Sequence, residues 1–211
     1  MNITKFGHCC LLIEENNLRI LLDPVNLSTG QNDVKNVHVV LITHEHPDHC
    51  HIDSVKAVLK NHPETKIYTN ESVQALLEKE GITSKVIADG TSVTEKGVLI
   101  EGFGKDHACI HDSIPLIRNR GYFVANKFFY PGDSFTKPPK TPEILALPIV
   151  GFWMKLQESM DFATEVKPKI CFPVHDGILA VPGPTRIVPP QVLEPLGIKY
   201  EILELGKEYE F

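Results

Sequence analysis

The ten residues Ile42 to His51, ITHEHPDHCH, hold four of the chain's ten histidines together with Glu45 and Asp48. A solvated turn has no use for that density of imidazole, whereas a metal site does. Neutral imidazole and carboxylate are the donors that zinc, iron or manganese accept. His44 and His46 are two residues apart, so in an extended segment both rings point the same way. Asp48 and His49 are adjacent and point in different directions, which suits a second metal beside the first. Two cations a few Å apart can share a water and bring its pKa from 15.7 towards about 7, which gives hydroxide near neutrality. Asp48 can ligate and also accept or steer the proton. That is the chemistry of hydrolysis.

Other stretches offer donors. In Asp106-His107-Ala108-Cys109-Ile110-His111, an extended chain would put His107, Cys109 and His111 on one face. Asp133, in PGD, is either a hairpin-end turn residue or a ligand. His175, after the apolar run ICFPV, is either a ligand or a strand-end histidine bonded to a backbone carbonyl. His8 reads as a core histidine or as a partner of the site. Asp23, in LDP, reads as a turn former before Pro24 or as a group that orients a loop or a ligand histidine. Cys50 and Cys109 read as buried, inert thiols. His38, His51 and His62 read as strand-edge, helix-start and surface residues.

The positioning elements follow from periodicity. NITKF, CCLLIEE and LRILLDP are strands, with Asn16-Asn17 as a tight hairpin turn. VHVVLIT is a strand buried on both faces, and the histidine cluster follows it. IDSVKAVLKNH and ESVQALLEKEGI have helical spacing around the strand KIYTN. SVTEKGVLIEGFG and GYFVANKFFYPGD read as hairpins. EILALPI is a strand, SMDFATEVKP a helix, KICFPVHDG a strand, and KYEILELG a late strand. His44, His107, Asp133 and His175 each lie just past a strand's C-terminal end, so strand ends gathered on one edge of a sandwich would surround one point.

His44-x-His46-x-Asp48-His49 resembles the signature of the metallo-β-lactamase superfamily. Gly7-His8, Leu22-Asp23-Pro24, Gly132-Asp133-Ser134 and Pro173-Val174-His175 resemble further elements of its small, single-domain, metal-dependent hydrolase branch, in chain order. The resemblance implies an α/β fold, a four-layer αββα sandwich, formed by residues 1–211 as one domain of two similar halves. It implies that His44 and His46 bind one metal, that Asp48, His49 and His175 bind another, and that Asp133 bridges them. It favours a third ligand for the first metal about 25 to 30 residues before the bridging aspartate, and His107 lies 26 before Asp133. His111 is then a candidate for substrate contact or for an outer hydrogen-bonding role, or else an exposed polar histidine, and His8 is an outer hydrogen-bonding partner.

Two divalent cations, zinc first with iron or manganese as alternatives, would leave about one positive charge against two carboxylates and one hydroxide. The expected substrate is therefore a small, anionic ester, lactone or amide. A phosphodiesterase is the alternative hydrolase. A di-iron redox protein and a non-catalytic metal- or ligand-binding protein are the other classes. The net charge of -6 argues against a nucleic-acid partner. Five cysteines without a CxxC pair suit a reducing compartment. The start, MNITKFGHCC, lacks the regions of a signal peptide, and no apolar run is long enough to span a bilayer, so a cytoplasmic location away from membranes is expected. Phe152-Trp153-Met154 and Val181 to Arg186 are candidate pocket walls, with Trp153 either in the core or against substrate. Arg118 and Arg186 read as solvated.

Overall fold

Short apolar runs punctuated by turn residues form two seven-stranded sheets in a computed structural model that describes all 211 residues. The first sheet takes β1 (Asn2–Gly7), β2 (Cys10–Glu15), β3 (Leu18–Leu22), β4 (Val39–Leu41), β5 (Lys66–Thr69) and β6 (Lys85–Val86) in that order. The second takes β7 (Ser92–Glu95), β8 (Val98–Phe103), β9 (Gly121–Val124), β10 (Phe128–Tyr130), β11 (Ile144–Pro148), β12 (Ile170–Val174) and β13 (Lys199–Tyr200), again in order. The last strand, β14 (Glu208–Glu210), returns to the first sheet and pairs with β1. Asn16 and Asn17 both take positive φ and close the β2–β3 hairpin, which is the turn expected from two asparagines.

Parallel neighbours need crossovers, and helices supply them. α1 (Ile52–Asn61) joins β4 to β5, and α2 (Glu71–Lys79) joins β5 to β6. α3 (Leu156–Val166) joins β11 to β12, and α4 (Pro184–Leu193) lies between β12 and β13. The Asn70 side chain caps α2 by accepting the N–H groups of Ser72 and Val73. Val55 and Val58 of α1, and Val73 and Leu77 of α2, join the main core against the first sheet.

The second sheet divides its side chains by the two-residue strand period. Tyr122, Val124, Phe128, Tyr130, Ala146 and Phe172 face the core shared with the first sheet. Phe123, Phe129, Leu145 and Leu147 face the other way, onto Met160, Phe162 and Ala163 of α3. Helix, sheet, sheet and helix therefore stack as the expected αββα sandwich.

Two elements differ from the sequence reading. The late strand stops at Tyr200, and the chain re-enters a sheet only at Glu208. The segment Val181 to Arg186, which the sequence reading gave no secondary structure, runs into α4, with Pro184 at its first turn, where the missing N–H costs nothing.

Strand direction places the site. From the β14 edge, the first sheet runs through three antiparallel pairings and then three parallel ones. From the β7 edge, the second sheet repeats the same order. So β1, β3 and β4 point one way in their sheet, and β8, β10, β11 and β12 point one way in theirs.

Candidate metal centre

His8 follows β1, Asp23 follows β3, and the histidine cluster follows β4. His107 follows β8, Asp133 follows β10, Trp153 follows β11, and His175 follows β12. All of these loops meet along one edge of the sandwich. Two groups of donors result. The ligating atoms of His44, His46, His107 and Asp133 lie within 4.8 Å of one another, and so do those of His8, Asp48, His49 and His175.

Asp133 stands between the groups. Its Oδ2 is 3.4 Å from His107 Nε2 and 3.9 Å from His44 Nε2. The same oxygen is 3.0 Å from His175 Nε2, and Oδ1 is 3.3 Å from His49 Nε2. The Trp153 indole N–H donates to Oδ2 at 2.9 Å. Its backbone is held as firmly. The Asp133 N–H donates to Asn119 Oδ1, and Asn119 Nδ2 donates to the Pro131 carbonyl. Gly132 makes that turn possible, since it takes a φ of 66° and a Cβ there would run into Asn119 Oδ1 and Thr43 Cβ.

In the other group, Asp48 Oδ2 is 3.4 Å from His8 Nε2 and 3.7 Å from His175 Nε2. His49 is oriented from behind. Asp23 Oδ2 lies 2.8 Å from its Nδ1 and also accepts the hydroxyls of Thr43 and Tyr130, while Oδ1 accepts the Thr43 N–H. Asp23 is fully buried. A carboxylate holding the far nitrogen of a histidine fixes its tautomer and leaves Nε2 free. Of the two readings of Asp23, the structure supports the orienting one.

His8, Asp23 and His175 share a further feature: each takes a positive φ, at 47°, 39° and 64°. Non-glycine residues seldom adopt that conformation outside turns, and it concentrates at functional sites.

The electrostatics differ between the two groups: burial works to lower His49 and His175, but the carboxylates beside them hold both above the ordinary imidazole range, whereas His44 is lowered. Burial, together with His49 beside it, pushes His44 well below the ordinary imidazole range, so it is neutral. Burial works to raise the Asp133 carboxyl, but the charge of His49 and the close imidazoles of His107 and His175 hold it far below the usual range. Asp48 behaves alike: burial raises it, the close His8 imidazole and the charges of His49 and His175 outweigh that, and it settles at about 2.

The donor set fits divalent cations. Nε2 of His8, His49, His107 and His175, and Oδ1 of Asp133, are buried without a hydrogen-bond partner. Orphaned buried polar atoms are costly, and here they converge on two points. Six imidazoles and two carboxylates are a nitrogen and oxygen set suited to zinc, iron or manganese.

His44, His46, Asp48, His49, His107, Asp133 and His175 thus all come together. His8, expected as an outer partner, stands among the donors themselves. Trp153, expected in the core or against substrate, bonds Asp133. His111 does not join them: it is exposed, and its Nδ1 pairs with Ser113 Oγ. Cys109, expected to be buried, is exposed, because the loop that buries His107 turns outward after it, whereas Cys50 is buried as expected. Arg118 is exposed and paired with Asp106. His38 and His62 accept backbone N–H groups, and His51 precedes α1.

A family model described as a beta-lactamase superfamily domain matches residues 2–175. Protein Rv0786c of Mycobacterium tuberculosis is 32% identical over 85% of this chain and 86% of its own length. The UPF0173 metal-dependent hydrolase Ta0764 of Thermoplasma acidophilum is 24% identical over 83% of each. A crystal structure of a candidate metal-dependent hydrolase from Parabacteroides distasonis superposes with a TM-score of 0.78 at 26% identity, covering 96% of this chain and 92% of that one. With the αββα sandwich and the donors gathered at its edge, these likenesses establish that the chain belongs to the metallo-β-lactamase superfamily, in the branch of its small metal-dependent hydrolases.

Proposed function

We propose that the chain hydrolyses a small, anionic ester, lactone or amide with two divalent cations, zinc foremost, held at this edge. The observation that carries the reading is the pair of donor groups with Asp133 between them. His44, His46 and His107 would hold one cation and Asp48, His49 and His175 the other, with Asp133 placed to serve both. His8 stands beside Asp48 as a further donor or a positioning group.

Such cations, when bound, supply Lewis acidity, which brings the pKa of water to about 7 and polarises a carbonyl oxygen. The chain's own residues do the rest. Asp48 is the more open of the two carboxylates, with 29% of its side chain exposed against 3% for Asp133. Its Oδ2 stands at the open face of the site, where it would accept and steer the proton released in the attack. Asp23, Thr43 and Tyr130 hold His49 in one tautomer. Trp153 fixes Asp133 and walls the site on the β11 side. The net charge of -6 favours a small molecule over nucleic acid as the partner.

The test is elemental analysis of the purified protein, then a panel of chromogenic esters, lactones and phosphodiesters with the metal found. Two metals per chain, with turnover of a carboxylic ester or lactone abolished by chelation and by His44→Ala, is the expected result. Turnover confined to phosphodiesters would move the reading to the alternative hydrolase. Activity that survives both chelation and His44→Ala would contradict it.

A further inference from the structure

The chain leaves eleven large apolar side chains exposed. Six of them, Ile110, Ile114, Leu116, Phe152, Ile178 and Val181, sit on the loops that leave β8, β11 and β12. Those same loops carry His107, Trp153 and His175. Exposed apolar groups scattered singly need no explanation, but a concentration around a candidate centre does.

The loop after β8 is built to present such groups. Asp106 and Arg118 form a lone β-bridge and an ion pair at 2.9 Å, and the His107 N–H donates to the Ile117 carbonyl. The two ends of the loop are thereby tied together. Its middle projects as a flap with Ile114 and Leu116 exposed. Beneath it lies a shallow cleft of about 30 Å³, room for little more than one methylene, whose wall is continuous from His46 and His107 to Ile110, Ile114, Leu116 and Ile117. An apolar surface that runs directly onto two candidate ligands belongs to the substrate's path. The pattern of a few polar groups at the end of an apolar wall is that of a small-molecule site. Across the centre, Phe152 is 87% exposed next to Trp153, and Val181 is 73% exposed beyond His175. No other element covers them.

We infer that this cleft and the open rim beside it bind a short alkyl or acyl group of the substrate, so that the bond to be cleaved lies at the donor groups and the group rests against Ile110, Ile114 and Leu116. The inference rests on the hydrolase reading for what is done to the substrate, but not for the binding of the chain.

Binding can be read without turnover. Trp153 is the chain's only tryptophan, and it stands against His107 and His175 with ring centroids 5.9 Å and 6.2 Å away. Its fluorescence should report straight-chain carboxylates titrated into the purified protein. From acetate to butanoate the dissociation constant should fall, by at most about fourfold per methylene, and it should change little from butanoate through hexanoate to octanoate, whose further methylenes stay in solvent. The double variant Ile114→Ser with Leu116→Ser should flatten that dependence while leaving acetate binding and metal content unchanged. Leu196→Ser, an exposed apolar residue at the opposite edge of the sandwich, should leave the dependence intact. The same chain-length series of p-nitrophenyl esters should show a parallel rise in kcat/KM. Affinity that is independent of chain length, or a dependence that survives the double variant, would overturn the inference. Chain-length-dependent binding without ester hydrolysis would keep the apolar subsite and remove the hydrolase reading. Hydrolysis without chain-length dependence would do the reverse.

Discussion

His8 and His107 leave corresponding strands of the two sheets, β1 and β8, and Asp23 and Asp133 leave the next corresponding pair, β3 and β10. The backbone plan is repeated, but the duties are divided. Asp133 faces the donors and meets imidazoles of both groups. Asp23 sits one layer back, where Thr43 and Tyr130 occupy three of its hydrogen bonds and His49 the fourth. The second half brings its aspartate to the chemistry, and the first half uses the equivalent aspartate as a brace. The reason is local. In the first half the long insertion after β4 brings its own acid and three histidines to the edge, so the Asp23 position is left behind them.

That division can be broken by substitution. Asp133→Asn keeps the shape and removes the charge shared by both groups. At least one metal should be lost, and kcat should fall by more than about 100-fold, the upper range for loss of an outer partner. Its thermal midpoint should also lose most of the rise that metal gives wild type, since binding to the folded state is folding free energy. Metal content, kcat and thermal midpoint with and without chelator check this. Asp23→Asn should cost less in catalysis, about 10- to 100-fold in metal affinity or activity. It should cost more in the stability of metal-free protein, about 1–3 kcal/mol, because buried hydroxyl partners lose an acceptor. If the two variants are indistinguishable in both measurements, the halves are not divided as described.

The histidines sharpen the same comparison. His107→Ala should empty its donor group of metal. His8→Ala should weaken the other group by about tenfold, since Asp48, His49 and His175 remain. Metal titration of each variant separates the two. The smallest effects belong to the outward side of the flap: His111→Ala and Cys109→Ser should keep full metal content and change stability by less than about 0.5 kcal/mol.

Much of the site was legible because the first half writes it contiguously. His44, His46, Asp48 and His49 lie in one stretch after a strand, and no turn chemistry explains them. Asp133 and His175 were legible only through their resemblance to a known order of motifs, because PGD and a strand-end histidine are common by themselves. His8 and Asp23 carried the weakest signal. Their roles depend on which strands run in the same direction, and periodicity does not reveal sheet order. The positive φ values that mark them are invisible in the residue types, since neither is glycine. Asn119, which holds the turn at Gly132, and Thr43, which bonds Asp23, had no signal at all. In the fold, alternation found the strands, but α4 was hidden by Pro184, Pro189 and Pro190. Proline is read as a helix breaker, yet the first is harmless at the start of the helix. β14 was hidden by its length, since three residues at a sheet edge show no period.

The account's central claim is that two donor groups share Asp133. Metal stoichiometry by elemental analysis, on wild type and Asp133→Asn loaded side by side, tests it most directly. Two metals per chain in wild type and fewer in the variant is the predicted result. Saturation of wild type at one metal, or two metals retained in Asp133→Asn with near-normal kcat, would contradict it and reduce Asp133 to a turn residue.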